Sequence, residues 1–133
     1  MPVAITRILR ALIAGIAAAL ALTGSVQAIS VLPDPVKARK ELRALGLEYH
    51  GQDFAKAAGS GDLTAVKLFL DAGMDINEGG GAALGLAAGR GKLEMVKFLL
   101  SRGAKPTANS LQFARTRGHK DIEQLLLEHG AKE

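Results

Sequence analysis

The chain's 133 residues leave room for one domain, and much of their 48 % hydrophobic content lies in the first thirty positions. Aromatic residues are only 4 % and Trp is absent, so the core must be built from Leu, Val, Ala and a few Phe, which favours packed helices over a β-sandwich. No Cys is present, excluding disulfides, thiolate metal sites and a cysteine nucleophile, and the net charge of +4 comes without a basic run that would hold nucleic acid.

The first ten residues carry Arg7 and Arg10 and no acid, residues 11–22 are uncharged and apolar, and Thr23, Gly24 and Ser25 restore polarity. Val26 and Ala28 then place small side chains at the −3 and −1 positions of a cleavage site. This order is the secretory signal pattern: the charges stay on the cytoplasmic side, the apolar run inserts, and the peptidase accepts only small residues. Cleavage is expected after Ala28, with residues 1–28 a signal peptide and the product periplasmic or secreted from a bacterium. The alternative, a retained anchor, needs about 20 apolar residues, and the run here is shorter, so no stable membrane insertion is expected after cleavage. Setting Arg7 and Arg10 aside leaves 15 basic against 13 acidic residues, a net +2.

Residues 29–51 read as a linker and an N-terminal capping helix. Asp34 followed by Pro35 is a helix N-cap with proline at the first helical position. The helix is predicted from Val36 to about Leu45, with Gly46 ending it. Val36, Leu42 and Leu45 are expected to cover the outer face of the first repeat, because a repeat contacts only its neighbours and its free face needs a cap.

From residue 52 to 133 the chain repeats itself, in units 52–77, 82–106 and 109–132. Residues 57–70 align with 87–100, and a third copy runs through 113–127. Each unit reads as two short helices, the first rich in alanine, the second with one apolar stripe: Leu63, Val66, Phe69 and Leu70; Leu93, Val96, Leu99 and Leu100; Ile122, Leu125 and Leu126. Gly73, Gly103 and Gly130 stand just past the second helices, where a left-handed residue ends a helix cheaply. Asp62 is placed to cap the second helix of its unit.

These residues resemble the ankyrin repeat, whose familiar line runs Thr-Pro-Leu-His-x-Ala-Ala, Gly-His-x-x-x-Val-x-x-Leu-Leu, Gly-Ala. Gly118-His119, Leu99-Leu100, Gly103-Ala104 and Leu86-Ala87-Ala88 match it directly. Phe54 to Ala58 with Gly61-Asp62-Leu63 is similar to an N-terminal capping repeat. The resemblance implies an all-α stack of about three helix-turn-helix repeats behind a capping helix. There are departures. The family period is about 33 residues, whereas the glycines recur at 30 and then 27. The shortening falls around residues 78–81 and 105–109, where the family has projecting fingers, so shortened fingers are expected. Thr-Pro-Leu-His is replaced by Ala82-Ala83-Leu84-Gly85 and Asn109-Ser110-Leu111-Gln112, which predicts a less rigid stack.

A search for chemistry yields structural readings. Gly59-Ser60-Gly61 and Gly89-Arg90-Gly91-Lys92 lack the spacing and the preceding strand of a P-loop, and both sit at the same turn of the repeat. His50, His119 and His129 do not pair at the i, i+4 spacing of a helical metal site. No Gly-x-Ser-x-Gly elbow accompanies Ser60, Ser101 or Ser110, and Glu94, Asp121 and Glu123 fall on solvent faces. No catalytic, cofactor-binding or metal-binding residue is expected.

In the resembled family, partner contacts come from the two variable residues before each Gly-His and from the fingers. By resemblance these are Gly59 and Ser60, Gly89 and Arg90, Thr116 and Arg117, with Glu78 and Lys105 as finger residues. Arg90, Arg117 and neighbouring Arg115 imply a preference for an acidic surface on the partner. The expected function is an exported, monomeric protein-binding module that catalyses nothing, an adaptor or assembly or activity factor for another exported protein. A secreted effector or inhibitor of a foreign protein is the alternative, and an enzyme or metal carrier the third reading.

Overall fold

The computed structural model describes residues 32–132. The signal peptide and its cleavage after Ala28 lie outside the described residues. Helix α1 (Pro35–Ala44) starts where its sequence dictates. Asp34 Oδ1 accepts the N–H groups of Val36 (3.1 Å) and Lys37 (3.2 Å), and Pro35 has no N–H to satisfy.

The face that α1 buries differs from the expected one. Ala38 and Leu42, one turn apart, are buried, whereas Val36 is 80 % exposed and Leu45 57 %. Val36 stands two positions from Ala38 and so lies on the far side of the helix. Leu45 is the C-cap, already turning away. Leu47 takes its place against the core after Gly46 reverses the chain, its N–H donating to Leu42 O at 2.9 Å.

Three helix pairs come next: α2 (Gly51–Ser60) with α3 (Leu63–Asp71), α4 (Glu78–Gly89) with α5 (Leu93–Ser101), and α6 (Ala108–Thr116) with α7 (Lys120–Glu128). The first helices α2, α4 and α6 pack side by side as one row, and the second helices form another row behind them. Helix α1 packs on α3, a second helix. It therefore stands where the second helix of a preceding repeat would stand, a half-repeat without a first helix.

Side-chain size explains the two rows. The first helices bury one large residue each, Phe54, Leu84 and Leu111, among the alanines Ala57, Ala58, Ala83, Ala87, Ala88 and Ala114, which let their backbones approach closely. The second helices bury Val66, Phe69, Met95, Val96, Leu99, Ile122 and Leu126. Fully burying one such side chain contributes roughly 1.5–3 kcal/mol. The first helices therefore pack closely on one another, whereas the second helices beyond α3 barely touch.

Within each pair the turn is stereotyped. Asp62 caps α3, its Oδ1 accepting the Ala65 N–H at 3.0 Å. Gly91 is required twice over: its φ is +72°, and a Cβ there would stand 2.6 Å from the His119 ring of the next repeat. Gly73, Gly103 and Gly130 all take positive φ past the second helices, as expected.

The fingers are reduced to turns, and no strand is present among the described residues. Helix α4 opens with Gly79, Gly80 and Gly81 all in the left-handed region (φ 65°, 70° and 84°), becoming regular only from Ala82. Left-handed backbone costs other residues roughly 1–2 kcal/mol each, so three in succession require glycine. Gly81 N–H donates to Asn77 O at 3.0 Å. Asn77 Oδ1 in turn accepts the Lys105 N–H at 2.9 Å, tying one shortened finger to the next. The third repeat recovers the helix-start bonds that the missing Thr-Pro-Leu-His would have supplied. Thr107 Oγ1 accepts the Ser110 N–H (3.1 Å) while Ser110 Oγ accepts the Thr107 N–H (2.9 Å), a reciprocal cap around a fully buried serine.

Candidate functional site

The sequence-derived contact residues separate into three groups in space. Gly59 is buried: a Cβ there would meet Arg90 Nη1 at 3.1 Å and Leu86 Cβ at 3.2 Å, so it offers no surface of its own. It is the floor on which Arg90 lies. Ser60 is exposed, but its hydroxyl donates to Ala57 O at 3.0 Å, within its own helix.

Gly89, Arg90 and Arg117 come together around a small pocket of about 210 Å³, whose other walls are Gly85, Leu86 and Phe113. The pocket lies between α4 and α6 near their C-terminal ends. Arg90 and Arg117 are exposed, and neither makes an ion pair among the described residues. Arg115 is different. Its Nε donates to Glu123 Oε1 at 2.7 Å, across the turn between α6 and α7, so much of its charge is met within the repeat. Glu123 is accordingly half-buried, not on the open solvent face expected for it. Thr116 is exposed on α6, where it lines a shallow pocket with Ala108, Leu111, Gln112 and Arg115.

Glu78 and Lys105 are exposed at the opposite end of the first helices, beside the shortened fingers. Glu78 lines a wide cleft of about 610 Å³ with Tyr49, His50, Met74 and Asp75, between the turn entering α2 and the turn entering α4. Its polar groups close those turns. His50 Nδ1 accepts the Gln52 N–H at 3.2 Å, and Asp75 Oδ1 accepts the Asn77 N–H at 2.9 Å. Tyr49 is held between Arg39, 4.2 Å from its ring centroid, and Phe69.

Phe113 is the residue that sequence reasoning missed. It aligns with the alanine-rich part of the repeat, so it reads as core, yet it is 49 % exposed. Its ring lies over Gly85, with ring carbons 3.5 and 3.6 Å from where a Cβ would stand. The available signal was the pairing of an aromatic in one repeat with two glycines in the preceding first helix.

Among the described residues no group of three His, Asp or Glu is placed to hold a metal ion, and no helix is long and apolar enough to cross a membrane. A family model described as ankyrin repeats (3 copies) matches residues 54–110. The mouse (Mus musculus) protein "Ankyrin repeat, SAM and basic leucine zipper domain-containing protein 1" is 38 % identical over 69 residues, covering 50 % of this chain and 14 % of the mouse protein. The chain thus spans only a small part of that relative's length. Fold and matches together define the class: the chain carries ankyrin repeats, stacked as an all-α helical repeat. Ankyrin repeats are protein–protein interaction modules built on a non-catalytic scaffold.

Proposed function

We propose that this chain is an exported ankyrin-repeat adaptor that binds another exported protein through the C-terminal ends of its first helices and performs no catalysis itself. The observation that carries the reading is the pair of exposed, unpaired guanidinium groups of Arg90 and Arg117 flanking an apolar pocket. Unpaired arginines around an apolar centre favour a partner surface that brings carboxylates, because guanidinium and carboxylate match in geometry as well as charge. The paired Arg115, by contrast, has less charge to offer. The ordered charged, apolar and small-residue regions of residues 1–28 support export, and the +2 balance of the remainder gives no reason to invoke nucleic acid.

The test is cross-linking in living cells with a C-terminally tagged protein, followed by fractionation and mass spectrometry. One dominant exported partner is expected, whose affinity falls at least tenfold, or about 1.4 kcal/mol, in the Arg90→Glu, Arg117→Glu double variant. Affinity unchanged by that reversal would remove the basic surface from the account. Protein found mainly in the medium, with no partner in the producing cell, would replace the adaptor by a secreted effector.

A further inference from the structure

We propose that the Phe113 pocket is an anchor site for one apolar side chain of a partner segment that carries Asp or Glu within two residues of it. The proposal rests on the basic-surface reading above and specifies its ligand. Phe54 and Phe69 are fully buried, and Phe98 is half-buried beneath Lys67 and Arg102, 5.6 and 5.4 Å from its centroid. Phe113 alone among the four phenylalanines lies open on the first-helix row. One side of the ring is seated on α4, where Phe113 Cβ comes within 3.3 Å of the position a Gly89 Cβ would take. The glycines keep the floor flat, and the remaining ring surface faces solvent.

Size selects the occupant. The pocket's volume of about 210 Å³ falls below the roughly 300–1,000 Å³ of sites that enclose a cofactor or metabolite. It has room for one large side chain. Chemistry selects the neighbour of that side chain. Burying Phe113 against a partner also draws water from Arg90 and Arg117 on the rim, and a desolvated cation without an anion is strongly unfavourable. A purely apolar segment would leave both guanidinium groups uncompensated. A purely acidic one would leave the phenyl ring wet. Successive Cα atoms are about 3.8 Å apart, so a carboxylate one or two positions from the anchor stays within reach of either arginine.

The test is selection of a random 12-residue peptide display library on the purified chain, with fluorescence anisotropy of the enriched peptides. Enrichment of Leu, Met or Phe beside Asp or Glu is expected. Such peptides should lose at least tenfold in affinity when the acid is replaced by its amide, and at least tenfold against Phe113→Ala. Phe113→Gln, which keeps a long side chain and favours the helix but removes the ring, should show the same loss if the alanine variant does not fold. An acid-only consensus indifferent to both Phe113 variants would overturn this proposal while leaving the basic-surface reading intact. An apolar consensus indifferent to Arg90→Glu and Arg117→Glu, or no enrichment at all, would overturn both. Concentration-dependent dimerisation abolished by Phe113→Gln would also overturn the proposal, by making a second copy the occupant.

Discussion

The two helix rows of this stack differ in their balance of small and large side chains. In the first-helix row, Phe54, Leu84 and Leu111 are accompanied by alanines and by glycines whose missing Cβ atoms leave space for a neighbour: Arg90 over Gly59, Phe113 over Gly85 and Gly89. In the second-helix row, Phe69, Met95, Leu99, Ile122 and Leu126 fill the volume, and neighbouring helices beyond α1 and α3 touch one another sparingly. The difference shows where stability and function reside. The second row supplies most of the large, fully buried side chains. The first row supplies a close-packed surface on which long side chains lie flat and remain open to a partner.

That contrast can be broken most severely from the second row. Phe69→Ala should destabilise the stack by about 3–5 kcal/mol, because it empties the space between α1, α2 and α3, where Phe54 and Tyr49 also lean on the ring. Urea denaturation monitored by circular dichroism would measure it. A smaller loss is expected at the junction between repeats. Gly91→Ala combines left-handed backbone with a Cβ only 2.6 Å from His119, and should cost about 2 kcal/mol or more. Recovery of part of that loss by His119→Ala would identify the ring contact as its cause. In the first row the sign reverses. Gly85 sits in α4 without a positive φ, and an added Cβ would meet the Phe113 ring at ordinary contact distance, 3.5 Å. Gly85→Ala should therefore stabilise by roughly 0.4–1 kcal/mol while narrowing the pocket. A loss of stability there would mean that the ring cannot yield.

Much of the fold was legible because it is periodic. The glycines after the second helices, the apolar stripes and the caps at Asp34 and Asp62 are local signals, and each has the conformation or hydrogen bond its position implies. What escaped was contact between residues far apart in sequence. The Asn77 side chain reaches Lys105 across 28 positions. Arg115 and Glu123, eight apart, read as two solvated charges until the turn between α6 and α7 brings them together. The cap was recognised, but its buried face was misjudged, since Val36 and Leu45 are apolar residues on the wrong sides of a short helix whose partner was unknown. For the site, the arginines at 90 and 117 were reachable by aligning repeats. Their meeting around Phe113 was not, because it depends on two glycines in the preceding repeat.

The central claim is that the partner sits on the first-helix row. Site-specific photo-cross-linking in living cells tests it most directly, with the photoreactive residue at Thr116, exposed on α6, or at Lys97, exposed on α5. The account predicts a discrete covalent adduct from position 116, lost in the Arg90→Glu, Arg117→Glu background, and none from position 97. An adduct from position 97 with none from 116 would place the partner on the second-helix row and contradict it.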